Sequence, residues 1–168
     1  MNDITTIAIA SDHAGFALKQ FLVGTLANVS RYYEKNKNEN EYSANTDEAL
    51  GVNGKYNIID LGTDSTQLTD YPDYAILLAD YMKKHKGIGI LICGSGIGMS
   101  IAANRHHWIR AALCHNTEYA KLAREHNNAN VLVLGAKYTA DKAASEIVKT
   151  FLNTIFLQRH HLNRVQKL

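Results

Sequence analysis

Short apolar runs, several rich in β-branched residues, alternate along the chain with longer segments whose apolar residues recur at helical spacing. Residues 6–10, 57–61, 87–92, 109–113 and 130–134 are predicted strands, mostly apolar throughout, as strands covered on both faces are. Helices are predicted over residues 15–27, 74–84, 97–104, 117–125 and 140–156, with a last short one near 161–168. Thr117, ahead of Tyr119, Leu122 and Ala123, reads as an N-cap before an apolar stripe. Residues 139–141 open the helix that carries Ala144, Ile147, Val148 and Phe151. Repeated βα units of this kind predict an α/β, doubly wound sheet of about five parallel strands with helices on both faces.

Residues 30–55 break the pattern, with five asparagines, dense charge and almost no aliphatic periodicity. They read as a surface insertion between the first helix and the second strand, too short to close a core of their own. The whole chain of 168 residues, 46% hydrophobic with one proline, fits one domain, residues 1–168. Eighteen Lys plus Arg against sixteen Asp plus Glu leave a net charge of +2, too little to predict nucleic-acid binding, so an anion site must be local. Cys93 and Cys114 have no CxxC or metal-ligand spacing and suit a reducing compartment. The first residues lack a signal pattern and no apolar run reaches membrane length, so the expected location is cytoplasmic, without a membrane partner.

Ligands of open parallel sheets bind beyond the carboxyl ends of the strands, which directs attention to the residues following each predicted strand. These are Ser11-Asp12-His13, then Gly62-Thr63 with Thr69-Asp70-Tyr71-Pro72, then residues 93–98, then His115-Asn116. In CGSGIG, Gly94, Gly96 and Gly98 allow backbone N–H groups to converge on an anion, although a tight turn without a ligand fits as well. The run is neither the GxGxxG fingerprint nor a Walker A loop. Cys93 precedes a helix start, where partial positive charge favours a thiolate base or nucleophile; the alternative is a small buried hydrophobe. Cys114 lacks that glycine frame and reads as structural.

Asp12-His13 suits proton transfer or hydroxyl binding, with an N-cap as the plain alternative for Asp12. His126-Asn127 reads equally as a helix C-terminus with a dipole-compensating histidine. The tail RHHLNRVQKL is basic, and Arg164 with Arg159 or His160 would hold a phosphate if its helix met a cleft. The pairs His106-His107 and His160-His161 lack metal-ligand spacing.

Taken together, IASDHAGFALK, TDYPDYA, ILICGSGIGMSIAANR, AREHNNANVLVLG and the closing RV resemble, in order and spacing, the ribose-5-phosphate isomerase B family, whose relatives include galactose-6-phosphate isomerase subunits. The resemblance covers nearly the whole chain outside the insertion and implies a three-layer, Rossmann-like fold. It implies aldose-ketose isomerisation of a phosphosugar through a cis-enediolate, with Cys93 as the base, in the branch that uses cysteine rather than a glutamate a few residues later; residues 97–99 contain no acid. Backbone donors of Gly94, Ser95, Gly96, Ile97 and Gly98 would hold the enediolate oxygen, and Ser95 would help pass a proton between the two oxygens. Asp12 and His126 match ring-opening residues, with His126 acting at the ring oxygen; Tyr71 and Asn127 match sugar contacts, and His13 and Arg164 phosphate contacts.

Lys137 and His160 depart from the resemblance, since the family usually has arginines there, and Arg159 is the neighbour able to replace His160. The resemblance further implies no metal or organic cofactor and a homodimer or homotetramer whose sites are completed across subunits. Its pentose substrate would be ribose 5-phosphate. An isomerase of allose or galactose 6-phosphate and a non-catalytic phosphosugar-binding module are the alternatives, the latter needing neither Cys93 nor His126.

Overall fold

The computed structural model describes residues 5–35 and 56–168. Five parallel strands, β1 (Thr5–Ser11), β2 (Tyr56–Asp60), β3 (Ile88–Cys93), β4 (Ala111–Leu113) and β5 (Val131–Gly135), form one sheet in the order β2-β1-β3-β5-β4. Between and after them run α1 (Phe16–Lys35), α2 (Tyr71–Lys84), α3 (Ile97–Ala103), α4 (Thr117–Asn127), α5 (Asp141–Asn153) and α6 (Arg159–Val165). A 3-10 turn, His13–Gly15, joins β1 to α1.

Side chains of successive strand residues alternate between two cores. Ile7 and Ile9, Ile90 and Ile92, and Leu132 and Leu134 meet Leu18, Leu22 and Leu26 of α1 together with Ala144, Ile147, Val148 and Phe151 of α5. On the other face Ala8, Ala10, Leu91, Cys93, Val131 and Val133 pack against Ala75, Leu78 and Ala79 of α2 and Met99 and Ala103 of α3. The doubly wound, three-layer α/β arrangement expected from the alternation is therefore the one found. Burying each Leu, Ile or Phe of this set stabilises the fold by about 1.5–3 kcal/mol.

Adjacent strands β1 and β3 send their following helices to opposite faces, α1 into the first core and α3 into the second. This is the switch point at which an open α/β sheet leaves a crevice beyond its carboxyl edge.

Several boundaries differ from the sequence expectation. Helix α1 continues to Lys35, past residue 27, because nothing between Asn28 and Lys35 is Gly or Pro; the first residues of the expected insertion are thus helical, and residues 36–55 lie outside the described ones. Helix α2 starts at Tyr71 rather than 74, with Pro72 tolerated in its first turn. Strand β4 begins at Ala111 because the Arg110 amide donates to Asn130 Oδ1 (2.7 Å), while Asn104 brackets Ala111 on both its N–H and its C=O. Asn116, not Thr117, caps α4, its Oδ1 accepting from the Tyr119 amide at 3.0 Å. Helix α5 ends at Asn153 rather than at 156, and α6 begins at Arg159, which has positive φ like Gln158 before it. Among the described residues no helix is long and apolar enough to cross a membrane.

Candidate active site

Cys93 closes β3 and is 4% exposed, its side chain turned to the α2 and α3 face. The chain then turns through Gly94 and Ser95 to Gly96, which sits at φ +79, a backbone conformation open to glycine and costly for other residues. That turn carries the Gly96 N–H back to Cys93 Sγ at 3.1 Å. The strand-end sulfur thus accepts from the amide that precedes α3. The Ile97 amide donates to Ser95 Oγ at 3.3 Å. Two of the loop amides expected to face an anion are therefore already engaged, while those of Gly98 and Met99, in the first turn of α3, lack an intrahelical acceptor.

Three other strand ends border this loop. The Ala136 and Lys137 amides donate to the carbonyls of Cys93 (2.9 Å) and Gly94 (3.0 Å), stitching the β5 exit to the β3 exit. Lys137 Cε lies 3.4 Å and Ala14 Cβ 3.7 Å from the point a Cβ would occupy on Gly94, which sets the Lys137 chain and the β1 exit against the loop. The Tyr71 ring covers Gly98 so closely that a Cβ there would lie 2.5 Å from Cζ and 2.8 Å from Oη.

Asp12, 6% exposed, does take the capping role, its Oδ1 accepting from the Gly15 amide at 3.0 Å. His13 is fixed by Thr69: its amide donates to Thr69 Oγ1 (3.1 Å), and its Nδ1 lies 3.2 Å from the Thr69 amide and 3.1 Å from the Thr69 carbonyl. When Nδ1 accepts the amide proton, the imidazole's remaining proton is on Nε2, free for a ligand. Thr69 stood in the strand-end run without a role assigned to it; only the fold shows that it holds His13.

The remaining predicted residues form a second group. His126 and Asn127 end α4, and the Asn128 cap is left-handed with φ 46, so the helix C-terminus reading is also correct. His126, Asn127, His161, Arg164, Val165 and Leu168 line a pocket of about 270 Å³ between α4 and α6. His160, tilted on His161 with centroids 4.0 Å apart, and Arg159 lie outside that lining. Among the described residues no group of three or more His, Cys, Asp or Glu is placed to hold a metal ion.

The two groups sit on opposite edges of the sheet. Cys93, Asp12 and Lys137 follow strand carboxyl ends, whereas His126 and Asn127 lead into the amino end of β5. Since Gly89 pairs with Val131 and Cys93 with Gly135, the groups stand about one strand apart, four steps of about 3.3 Å or ~13 Å at least. One chain does not bring His126 to its own Cys93.

Burial pushes the Cys114 thiol up to about 12, in keeping with a structural role. His161 is driven the other way, below the ordinary histidine value, first by desolvation and then by the neighbouring His160, His126 and Arg164.

A buried strand-end cysteine in a glycine loop, bordered by an Asp-His pair and a lysine at neighbouring strand ends, lies at the switch point of a parallel sheet, where α/β enzymes bind their ligands, and known proteins share the arrangement over the whole chain. Residues 41–168 match the Ribose/Galactose Isomerase family. The chain is 37% identical over 164 residues to ribose-5-phosphate isomerase B of Escherichia coli, covering 96% of this chain and 93% of that one. It superposes on the crystal structure of a ribose 5-phosphate isomerase from Thermotoga maritima with a TM-score of 0.81 at 40% identity, covering 97% and 96% of the two chains. Ribose 5-phosphate isomerase B of Anaplasma phagocytophilum gives 0.77 at 38% identity, covering 99% and 98%. The chain belongs to the Ribose/Galactose Isomerase family and is an isomerase of the ribose-5-phosphate isomerase B type.

Proposed function

We propose that this single-domain protein interconverts D-ribose 5-phosphate and D-ribulose 5-phosphate in the cytoplasm, as a step of the non-oxidative pentose phosphate pathway. The observation that carries the reading is the Cys93 sulfur, buried at the switch point and held by the Gly96 N–H at 3.1 Å.

In this mechanism His13 and Lys137 take the phosphate, Tyr71 a sugar hydroxyl, and Asp12 uses the carboxylate oxygen not engaged in its cap. His126 gives a proton to the ring oxygen while the anomeric hydroxyl loses its own to the free Asp12 carboxylate oxygen, which opens the furanose to the aldehyde. The Cys93 thiolate removes the C2 proton and the electron pair forms the C1–C2 double bond of a cis-enediolate. Loop amides hold the developing oxyanion, an effect of about 2.7–4 kcal/mol per donor in comparable sites. Ser95 passes the hydroxyl proton from O2 to O1, and Cys93 returns its proton to C1.

His126, Asn127 and Arg164 belong, in this reading, to the site of a second subunit. Their position on the opposite sheet edge from Cys93 supports that assignment and a homodimer or homotetramer. The test measures ribulose 5-phosphate formed from ribose 5-phosphate by the purified protein and by Cys93→Ser, with allose 6-phosphate in parallel. Pentose turnover that collapses in the variant is expected; equal or better turnover of the six-carbon sugar would reassign the substrate, and full activity of Cys93→Ser would remove the base. Mixing Cys93→Ser with His126→Asn chains, each inactive alone, should restore about a quarter of wild-type activity if subunits exchange freely in a two-fold assembly, and no recovery would place both groups in one chain's site.

A further inference from the structure

His161 is the only histidine of the tail that is buried, at 8% exposure, and its ring lies flat on that of His126, centroids 4.1 Å apart and planes 10° from parallel. The His160 ring leans on its other side at 4.0 Å and 40°. Helix α6 packs on α4, and the charged and titratable groups around the stack come from these two helices: His126 from α4, and His160 and Arg164 from α6. Arg124 of α4 is turned away, donating to the carbonyls of Thr154 and Ala129.

We propose that His161 is the positioning residue for His126, holding the plane of that imidazole at the mouth of the α4 and α6 pocket through ring stacking. The inference rests on the ring-opening role given to His126 above. A histidine that delivers a proton to a ring oxygen has to present one nitrogen along a fixed direction, and an exposed helix C-terminus leaves an imidazole free to rotate. A parallel ring at van der Waals distance removes that freedom without touching the sugar. Desolvation, with the neighbouring His160, His126 and Arg164, also disfavours charge on His161, so that it serves the stack as a neutral ring.

The decisive comparison is His161→Ala against His161→Phe, because phenylalanine keeps the flat ring and loses the nitrogens. Only the aldose is a closed furanose; a ketopentose 5-phosphate has no free C5 hydroxyl with which to close one. His161→Ala should therefore lower kcat with ribose 5-phosphate about tenfold or more, and the reverse rate, which can release the open aldehyde, by less than about threefold. His161→Phe should recover most of the loss at unchanged KM.

Equal loss in both directions, or wild-type rates in His161→Ala, would overturn the proposal. A raised KM in both variants would do so too, since it would make His161 a direct ligand of the phosphate. A wild-type protein that turns over neither sugar would sink the functional reading instead, and the stack is then judged by NMR: the His126 ring protons should lose their ring-current shift in His161→Ala and keep it in His161→Phe, and His126 resonances unchanged in His161→Ala would refute the stack.

Discussion

Replacing Gly98 with alanine sets a local gain in the helix against a local displacement at the site. The new Cβ would stand 2.5 Å from Tyr71 Cζ and 2.8 Å from Cε2 and Oη, closer than non-bonded atoms can stand. The obstacle is the outer end of a side chain that is 38% exposed, so Tyr71 can swing toward solvent with little packing to lose. Alanine meanwhile improves on glycine in a helix by up to ~1 kcal/mol. Thermal melting should accordingly stay level or rise by about 2–4 °C for a chain of this size. Activity should move the other way, because the tyrosine hydroxyl leaves its place beside α3: the loss of one neutral hydrogen bond, about 0.5–1.5 kcal/mol, lowers kcat/KM for ribose 5-phosphate roughly two- to tenfold. Circular-dichroism melts and steady-state rates on the same preparation check both. A melt lowered by more than about 5 °C would show that the ring is locked in place, and an unchanged kcat/KM would show that Tyr71 does not touch the sugar.

Cys93→Ser should reduce turnover by about 10²–10⁴ with an unchanged melt, as expected for loss of a general base, and a variant within threefold of wild type would exclude the thiolate step. Lys19 is fully buried and ion-paired with Asp60 (2.6 Å to Oδ1), whose carboxylate is about one-third exposed; Asp60→Asn should cost about 2–3 kcal/mol in urea unfolding and more than Lys19→Met, because it strands a buried cation, and the reverse order would contradict this. The Cys114 thiol, pushed up to about 12 by burial, stays protonated in the folded chain where the unfolded thiol ionises near 9, so its contribution to stability is intact below that pH and is lost as pH rises toward 12. Cys114→Ala should flatten that alkaline slope, and native protein at pH 8 should resist thiol labelling at Cys114. His161, held below its ordinary value, works in the opposite sense: the unfolded chain binds its proton first as pH falls through about 6.5, so stability drops on the acid side, and His161→Phe should remove that part of the acid dependence in pH-dependent melts.

The strands and most helices were legible because their apolar periods agree with their turn chemistry; β5, for example, is five buried residues that follow an asparagine-rich entry and end on Gly135. What local pattern missed are the places where one side chain replaces a backbone partner. Asn104 and Asn130 take over hydrogen bonds around Ala111 and shorten β4, and Asn116 caps α4 in place of Thr117. On the site, Cys93, Asp12 and His13 could be found because they follow strands, and position after a strand is written in sequence. Thr69 holding His13 across 56 residues, and His161 lying on His126, depend on how separate elements dock, which no spacing within either segment encodes. His161 did carry one signal, its place four residues before Val165 on the docked face of α6.

The location of Cys93 and His126 on opposite edges of one sheet also fixes how the protein would respond to defective chains mixed with sound ones. With two-chain sites in a two-fold assembly, a chain lacking only Cys93 still lends a working His126 to its neighbour, so activity falls in proportion to the share of such chains. A chain lacking both residues silences its neighbour's site as well as its own, and activity then falls as the square of the intact share. Gene dosage would thus distinguish lesions on one edge of the sheet from lesions on both.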